Sequence, residues 1–117
     1  MAVVRHKPGR ISSKCVEGGG LVFTAGIATD VSPDVKVQTQ TILDEIDALL
    51  VAAGSNKSSI IYAQIWVADI RMRDAMNEVW MTWIDRNNLP ARACVESRLA
   101  DPKNLVEIAV TALKVGV

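Results

Sequence analysis

Residues 89–110 read LPARACVESRLADPKNLVEIAV, and the fold turns on how this stretch divides. Ala91 to Leu99 and Leu105 to Lys114 have the small, β-branched and apolar content of strands, with Asp101-Pro102 as the turn between them. Alternation along the first strand puts Arg92, Cys94, Glu96 and Arg98 on one face, and Ala91, Ala93 and Val95 on the opposite, apolar face. Glu96 and Arg98 read as a solvated pair of little energetic weight. Arg92 is different, because small neighbours leave room beside a guanidinium whose planar fork can take a carboxylate through two hydrogen bonds. A structural salt bridge explains it equally well. Glu107 interrupts a run of valine, isoleucine and alanine. Such a carboxylate needs a cation or several donors to stay ionised, and one so placed suits acid–base work near neutral pH. An edge-strand charge that discourages sheet-to-sheet association accounts for it as readily.

Upstream, SPDVKVQTQTILDEIDALLVAAG (residues 32–54) is an amphipathic helix. Ser32 or Asp34 can cap it, Pro33 suits the first turn, and Gly54 stops it. Ile42, Ile46, Leu49, Leu50 and Ala53 follow its period. Ser59 to Ala68 reads as a strand with Ile61, Ala63, Ile65 and Val67 on one face and Ile60, Tyr62, Gln64 and Trp66 on the other. Asp69 can cap a second helix, ended by Asn87-Asn88, whose stripe of Met72, Ala75, Met76, Val79, Trp80 and Trp83 belongs to a core. Before these lie a short edge strand (Val3 to Arg5) and two strands (Lys14 to Glu17, Leu21 to Ala25) joined by Gly18-Gly19-Gly20. Gly26 follows directly, where a bulge or a ligand close to the backbone would favour glycine. The order is ββ, α, β, α, ββ with an extra N-terminal strand. Two helices cover only one face of such a sheet. Ile60, Tyr62 and Trp66 on the other face are too apolar to leave in water, so the pattern predicts an oligomer.

The chain's 117 residues suit one compact domain, 1–117. Thirteen Lys and Arg balance thirteen Asp and Glu, and without a basic stripe nucleic-acid binding is disfavoured. No apolar run reaches bilayer length, and MAVVRHKPGR does not read as a secretory signal, so a cytoplasmic protein without membrane contact is expected. Cys15 and Cys94 match no metal or redox spacing. With a single histidine, His6, a zinc site or a Ser-His-Asp triad is not expected.

Pro90-Ala91-Arg92 with Cys94, Glu96 and the later Leu105-Val-Glu107-Ile-Ala-Val resembles the C-terminal signature of the Rid (YjgF) family, the reactive intermediate deaminases. Val22-Phe-Thr-Ala-Gly26, Leu43 to Gly54 and Ile65-Trp-Val-Ala-Asp69 resemble its second strand, first helix and central strand end, in the same order. The resemblance implies a chorismate-mutase-like α+β fold, a mixed sheet with two helices on one face, assembled as a homotrimer with sites in clefts between subunits. It implies hydrolysis of enamines and imines, such as 2-aminoacrylate and 2-iminopropanoate, to 2-oxo acids and ammonia, with no metal or organic cofactor. Carried over by position, Arg92 clamps the substrate carboxylate and Glu107 positions or activates water. Cys94 and Gly26 line the pocket, and Asn77 matches a family asparagine on the second helix. Ala25, also in the pocket, stands where many members carry a serine, and Ser12 falls near a family tyrosine. These departures make the resemblance closer to a side branch than to the best-studied deaminases. They keep alive a non-catalytic trimer that binds small carboxylates. A third reading, ribonuclease or translation inhibitor, has the balanced charge against it.

Overall fold

The computed structural model describes residues 2–115. In chain order its elements are β1 (Val4–Pro8), β2 (Ser13–Gly18), β3 (Leu21–Thr24), β4 (Ile27–Ala28), α1 (Val35–Ala52), β5 (Ile60–Val67), α2 (Arg73–Trp83), β6 (Ala91–Glu96) and β7 (Val106–Leu113). Single 3-10 turns, Lys57–Ser59 and Ile70–Met72, precede β5 and α2. One mixed sheet has the order β1-β2-β3-β7-β5-β6, with the two-residue β4 also on β7. Every pairing is antiparallel except β5 with β6, the two strands joined through α2. Both helices cover one face, giving the expected α+β architecture.

The ends of α1 follow local chemistry. The Asp34 carboxylate accepts the Lys36 amide as N-cap, while the Ser32 hydroxyl accepts the Asp34 amide one step earlier. Pro33 therefore precedes the helix instead of entering its first turn. Past the C-cap Ala53, Gly54 takes φ 78°, a left-handed conformation that favours glycine. Ile42, Leu43, Ile46, Leu49 and Leu50 are buried against Val22, Ile65, Ile108 and Ala112 of the sheet. Burying each of these leucines or isoleucines is worth about 1.5–3 kcal/mol. Gln38 is also buried, with both ends of its amide engaged: Nε2 donates to the Ser32 and Lys103 carbonyls, and Oε1 accepts the Leu105 amide. It pins the approach to β7 onto the start of α1.

Three local expectations need correction. The sequence pattern put Ile61 on the core face of β5 and Ile60 opposite, but Ile60 is buried and Ile61 exposed. The β5–β7 register skips between Ile60 and Tyr62, and the extra residue reverses the alternation below that point. Second, α2 stops at Trp83, because residues 85–88 close a turn in which the Asp85 carboxylate accepts from Asn87 and Asn88. Third, β6 ends at Glu96, leaving Arg98 beyond the strand.

The face away from the helices carries Phe23, Ile61, Tyr62 and Val95, each 39–45% exposed. Trp66 and Ala109 lie on it in register with Glu107 and Gln64 respectively. This is the unroofed apolar face that the pattern predicted.

Candidate functional site

Parallel pairing with β5 sets Arg92 beside Ala63 and Cys94 beside Ile65, which places both on the helix-covered side of the sheet. Cys94 packs against the core. Above Arg92 lies α2, and the guanidinium carbon stands 5.3 Å from the centre of the Trp80 ring, a cation–π contact. No carboxylate among the described residues comes within ion-pairing distance of Arg92. Its Nη1 is shut off from water without a hydrogen-bond partner, as is Asn77 Oδ1, nearly one helical turn before Trp80. Arg92 and Asn77 both line a cavity of about 680 Å³ between α2 and the chain leading into β6. Buried polar atoms normally find partners, so an orphaned donor and an orphaned acceptor on one cavity mark a place prepared for a polar guest.

Burial pushes the Arg92 guanidinium down from its ordinary value, against the pull of Cys94 and with a further push from Arg73. Burial also pushes the Cys94 thiol up, only partly offset by Arg92 and Arg73. Cys94 is therefore a neutral thiol at pH 7, suited to a wall and not to a nucleophile.

The second group gathers on β7. Ile108 points into the core, so Glu107 faces the opposite, open side, paired with Trp66 of β5 and Ala28 of β4. Its carboxylate crosses the backbone at Gly26, where an added Cβ would collide with Oε2 and lie 2.9 Å from Cδ. The close approach that called for glycine is thus that of a side chain of this chain. Beside it, the Ala25 amide donates to the Lys14 carbonyl at 2.8 Å. Ser12 is exposed in the turn between β1 and β2.

Two groups are therefore assembled, Arg92 with Cys94 and Glu107 with Gly26 and Ala25, and a single chain does not join them. They occupy opposite faces of the sheet, two strands apart. The expected Glu96–Arg98 pair is not formed; Glu96 Oε1 accepts the Ile70 amide at 2.9 Å. The stripe on α2 was read as core, which holds for Met76, Trp80 and Trp83, but Trp80 is also the platform under Arg92. A βαβ crossover brings the middle of its helix over the following parallel strand, and that was the available signal. Among the described residues no group of three or more His, Cys, Asp or Glu could hold a metal, and no helix is long and apolar enough to cross a membrane. His6 pairs with Glu17.

Comparison with known proteins covers nearly the whole chain. A family model described as endoribonuclease L-PSP matches residues 6–114. A RutC family protein of Haemophilus ducreyi is 39% identical over 103 residues, 88% of each chain. The RutC family protein YoaB of Escherichia coli is 37% identical over 113 residues, 96% of this chain and 98% of that one. Among solved structures, NMB1025 of Neisseria meningitidis, a YjgF family member, superposes with a TM-score of 0.97 at 35% identity, covering 100% of this chain and 98% of its own.

Proposed function

This chain belongs to the Rid (YjgF) family, and on that premise we propose that it hydrolyses reactive enamines and imines of the 2-aminoacrylate and 2-iminopropanoate type to 2-oxo acids and ammonia. The observation that carries the reading is the unpartnered Arg92 guanidinium, stacked on Trp80 at the edge of an empty-walled cavity. It is a carboxylate clamp without a carboxylate of its own.

In the reaction, R–C(=NH)–COO⁻ takes up one water and releases R–CO–COO⁻ and ammonia. Arg92 holds the carboxylate and so fixes where the imine carbon sits. Glu107 orients the water and relays its proton to nitrogen as ammonia departs. The Gly26 backbone and Ala25 form one wall, and Cys94 forms another. Arg92 and Glu107 lie on opposite faces of one sheet, so the working site joins Arg92 of one protomer to Glu107 of its neighbour. A homotrimer with clefts between subunits satisfies this, and it also covers the apolar face bearing Phe23, Tyr62 and Val95. We place this protein in the cytoplasm as part of the same proposal.

Non-catalytic binding of small carboxylates is the second reading, favoured by Ala25, which offers no hydroxyl to a substrate. The name endoribonuclease suggests a third, against which the zero formal net charge stands.

A dehydratase that generates 2-iminopropanoate in the presence of the protein separates the first two. Faster pyruvate release supports hydrolysis, and binding of pyruvate without acceleration supports the second reading. Mixing unfolded Arg92→Ala and Glu107→Ala chains and refolding them together tests the shared site. Each intersubunit site then has one chance in two of an intact Arg92 and one in two of an intact Glu107, so about a quarter of wild-type activity returns. No recovery means that both residues serve within one chain.

A further inference from the structure

We propose that the cavity beside Arg92 selects substrates whose side chain is large and apolar, aromatic or branched aliphatic, over the three-carbon imine. The proposal rests on the reading of Arg92 as carboxylate clamp and extends it to the rest of the molecule bound.

Size is the first argument. At about 680 Å³ the cavity falls among pockets that hold drug-sized ligands, about 300–1,000 Å³. A three-carbon acid bound at Arg92 leaves most of it to water. The wall chemistry is the second. Beyond Arg92 and Asn77 the apolar surface comes from Trp80, Met81, Ile84 and Leu89. Met81 and Leu89 are 48% and 66% exposed, a standing cost that an apolar guest removes.

Charge supplies the third argument, because the acidic groups on the cavity already have basic partners. Glu78 pairs with Lys36, Asp74 sits 3.7 Å from Arg73, and Arg86 Nε donates to the Met81 carbonyl at 3.3 Å. Arg92 has no hydrogen-bonding partner among the described residues, so turning it toward an incoming anion breaks no such bond there. The recognition pattern is one carboxylate at Arg92 and an apolar arm directed at Met81 and Leu89.

Titration calorimetry on the assembled full-length protein tests this with phenylpyruvate and pyruvate, which share the carboxylate and 2-oxo group and differ in the arm. We expect phenylpyruvate to bind at least about tenfold more tightly, as filling an apolar pocket generally gives. Leu89→Ser and Met81→Ser should each narrow that ratio several-fold, and Arg92→Ala should weaken both ligands. Equal affinities, or a ratio untouched by both serine variants, overturn the proposal, as they would if a neighbouring subunit covers Met81 and Leu89. The outcomes also separate it from the hydrolase reading. Selective binding of phenylpyruvate with no turnover of any imine upholds the pocket and removes the enzyme. Turnover of 2-iminopropanoate with equal affinities upholds the enzyme and removes the pocket. Binding of neither acid overturns the pocket whatever the turnover.

Discussion

Arg92 and Glu107 lie on one sheet, level with Ala63 and Trp66 of the shared neighbour β5, yet their surroundings differ in kind. The guanidinium is enclosed: a helix lies above it, an indole ring beneath its charge, and a cavity beside it. What it lacks is an anion. The carboxylate is open to the unroofed side, and what fixes it is the bare backbone of Gly26. One half of the site is complete in the single chain except for its guest. The other half lacks a wall. The proposed reaction requires association of subunits to bring these two faces together.

The largest effect expected from breaking this contrast is that of Arg92→Ala. Truncating one member of a buried charge pair costs about 2–5 kcal/mol of binding, so kcat/KM should fall by about 30- to 4,000-fold. Stability should respond in the other direction or hardly at all. The variant removes a desolvated donor with no partner, and the lost contact with Trp80 offsets only about 0.5–2 kcal/mol of that relief. Melting temperature and imine turnover, measured on the same sample, check both statements. A large drop in melting temperature with assembly lost would identify Arg92 as structural.

Gly26→Ala attacks the other half and should act more mildly. The new methyl meets the far end of a flexible side chain, so Glu107 swings aside at a cost of about 1 kcal/mol or less. Turnover should fall about 10- to 100-fold because the carboxylate is misplaced. In the background of Glu107→Ala the same substitution should cost nothing further in stability, since the clash has gone. Additive losses in that double variant would mean that Gly26 is needed for its backbone alone.

These two halves also mark where the sequence is legible. Alternation correctly groups Arg92 with Cys94, because parity within a strand is local. It cannot tell which face of the sheet that group occupies, because this depends on the parallel pairing of β6 with β5 and on the side where α2 packs. Hence only Glu96 and Arg98 were read as solvated, and alternation gave no sign that Arg92 lies under a helix. Gly26 was recognised as a point of close approach, but its visitor sits 81 residues away on β7, a contact that only the sheet creates. Gln38 gave no signal at all: a glutamine near the start of an amphipathic helix reads as surface until the loop before β7 comes down on it. Helices and core, by contrast, follow from periods of apolar residues that no tertiary contact reverses, except at Ile60 and Ile61, where one extra residue does.

The smallest effect sharpens the comparison from a third place. Glu17, buried on the helix side of β2, is everything that Arg92 is not: a charge matched wholly within its own chain. Lys114, beyond the end of β7, and His6 of β1 both bond its carboxylate, tying the outer hairpin to the C-terminal strand. Lys114 first and His6 second hold the carboxyl below its ordinary value of 4.5. A carboxyl with a lowered folded pKa stabilises the fold fully above its unfolded value, and that contribution disappears as pH falls through the folded one. The melting temperature of the wild type should therefore fall as the solution is taken from about pH 6 to pH 3, and Glu17→Gln should flatten part of that fall while melting lower at neutral pH. Arg92→Ala, lacking any paired acid, should track the wild-type curve at every pH. Parallel curves for Glu17→Gln and wild type would show that the triad of His6, Glu17 and Lys114 carries no net stabilisation. The contrast between a matched and an unmatched charge would then lose its energetic meaning in this fold.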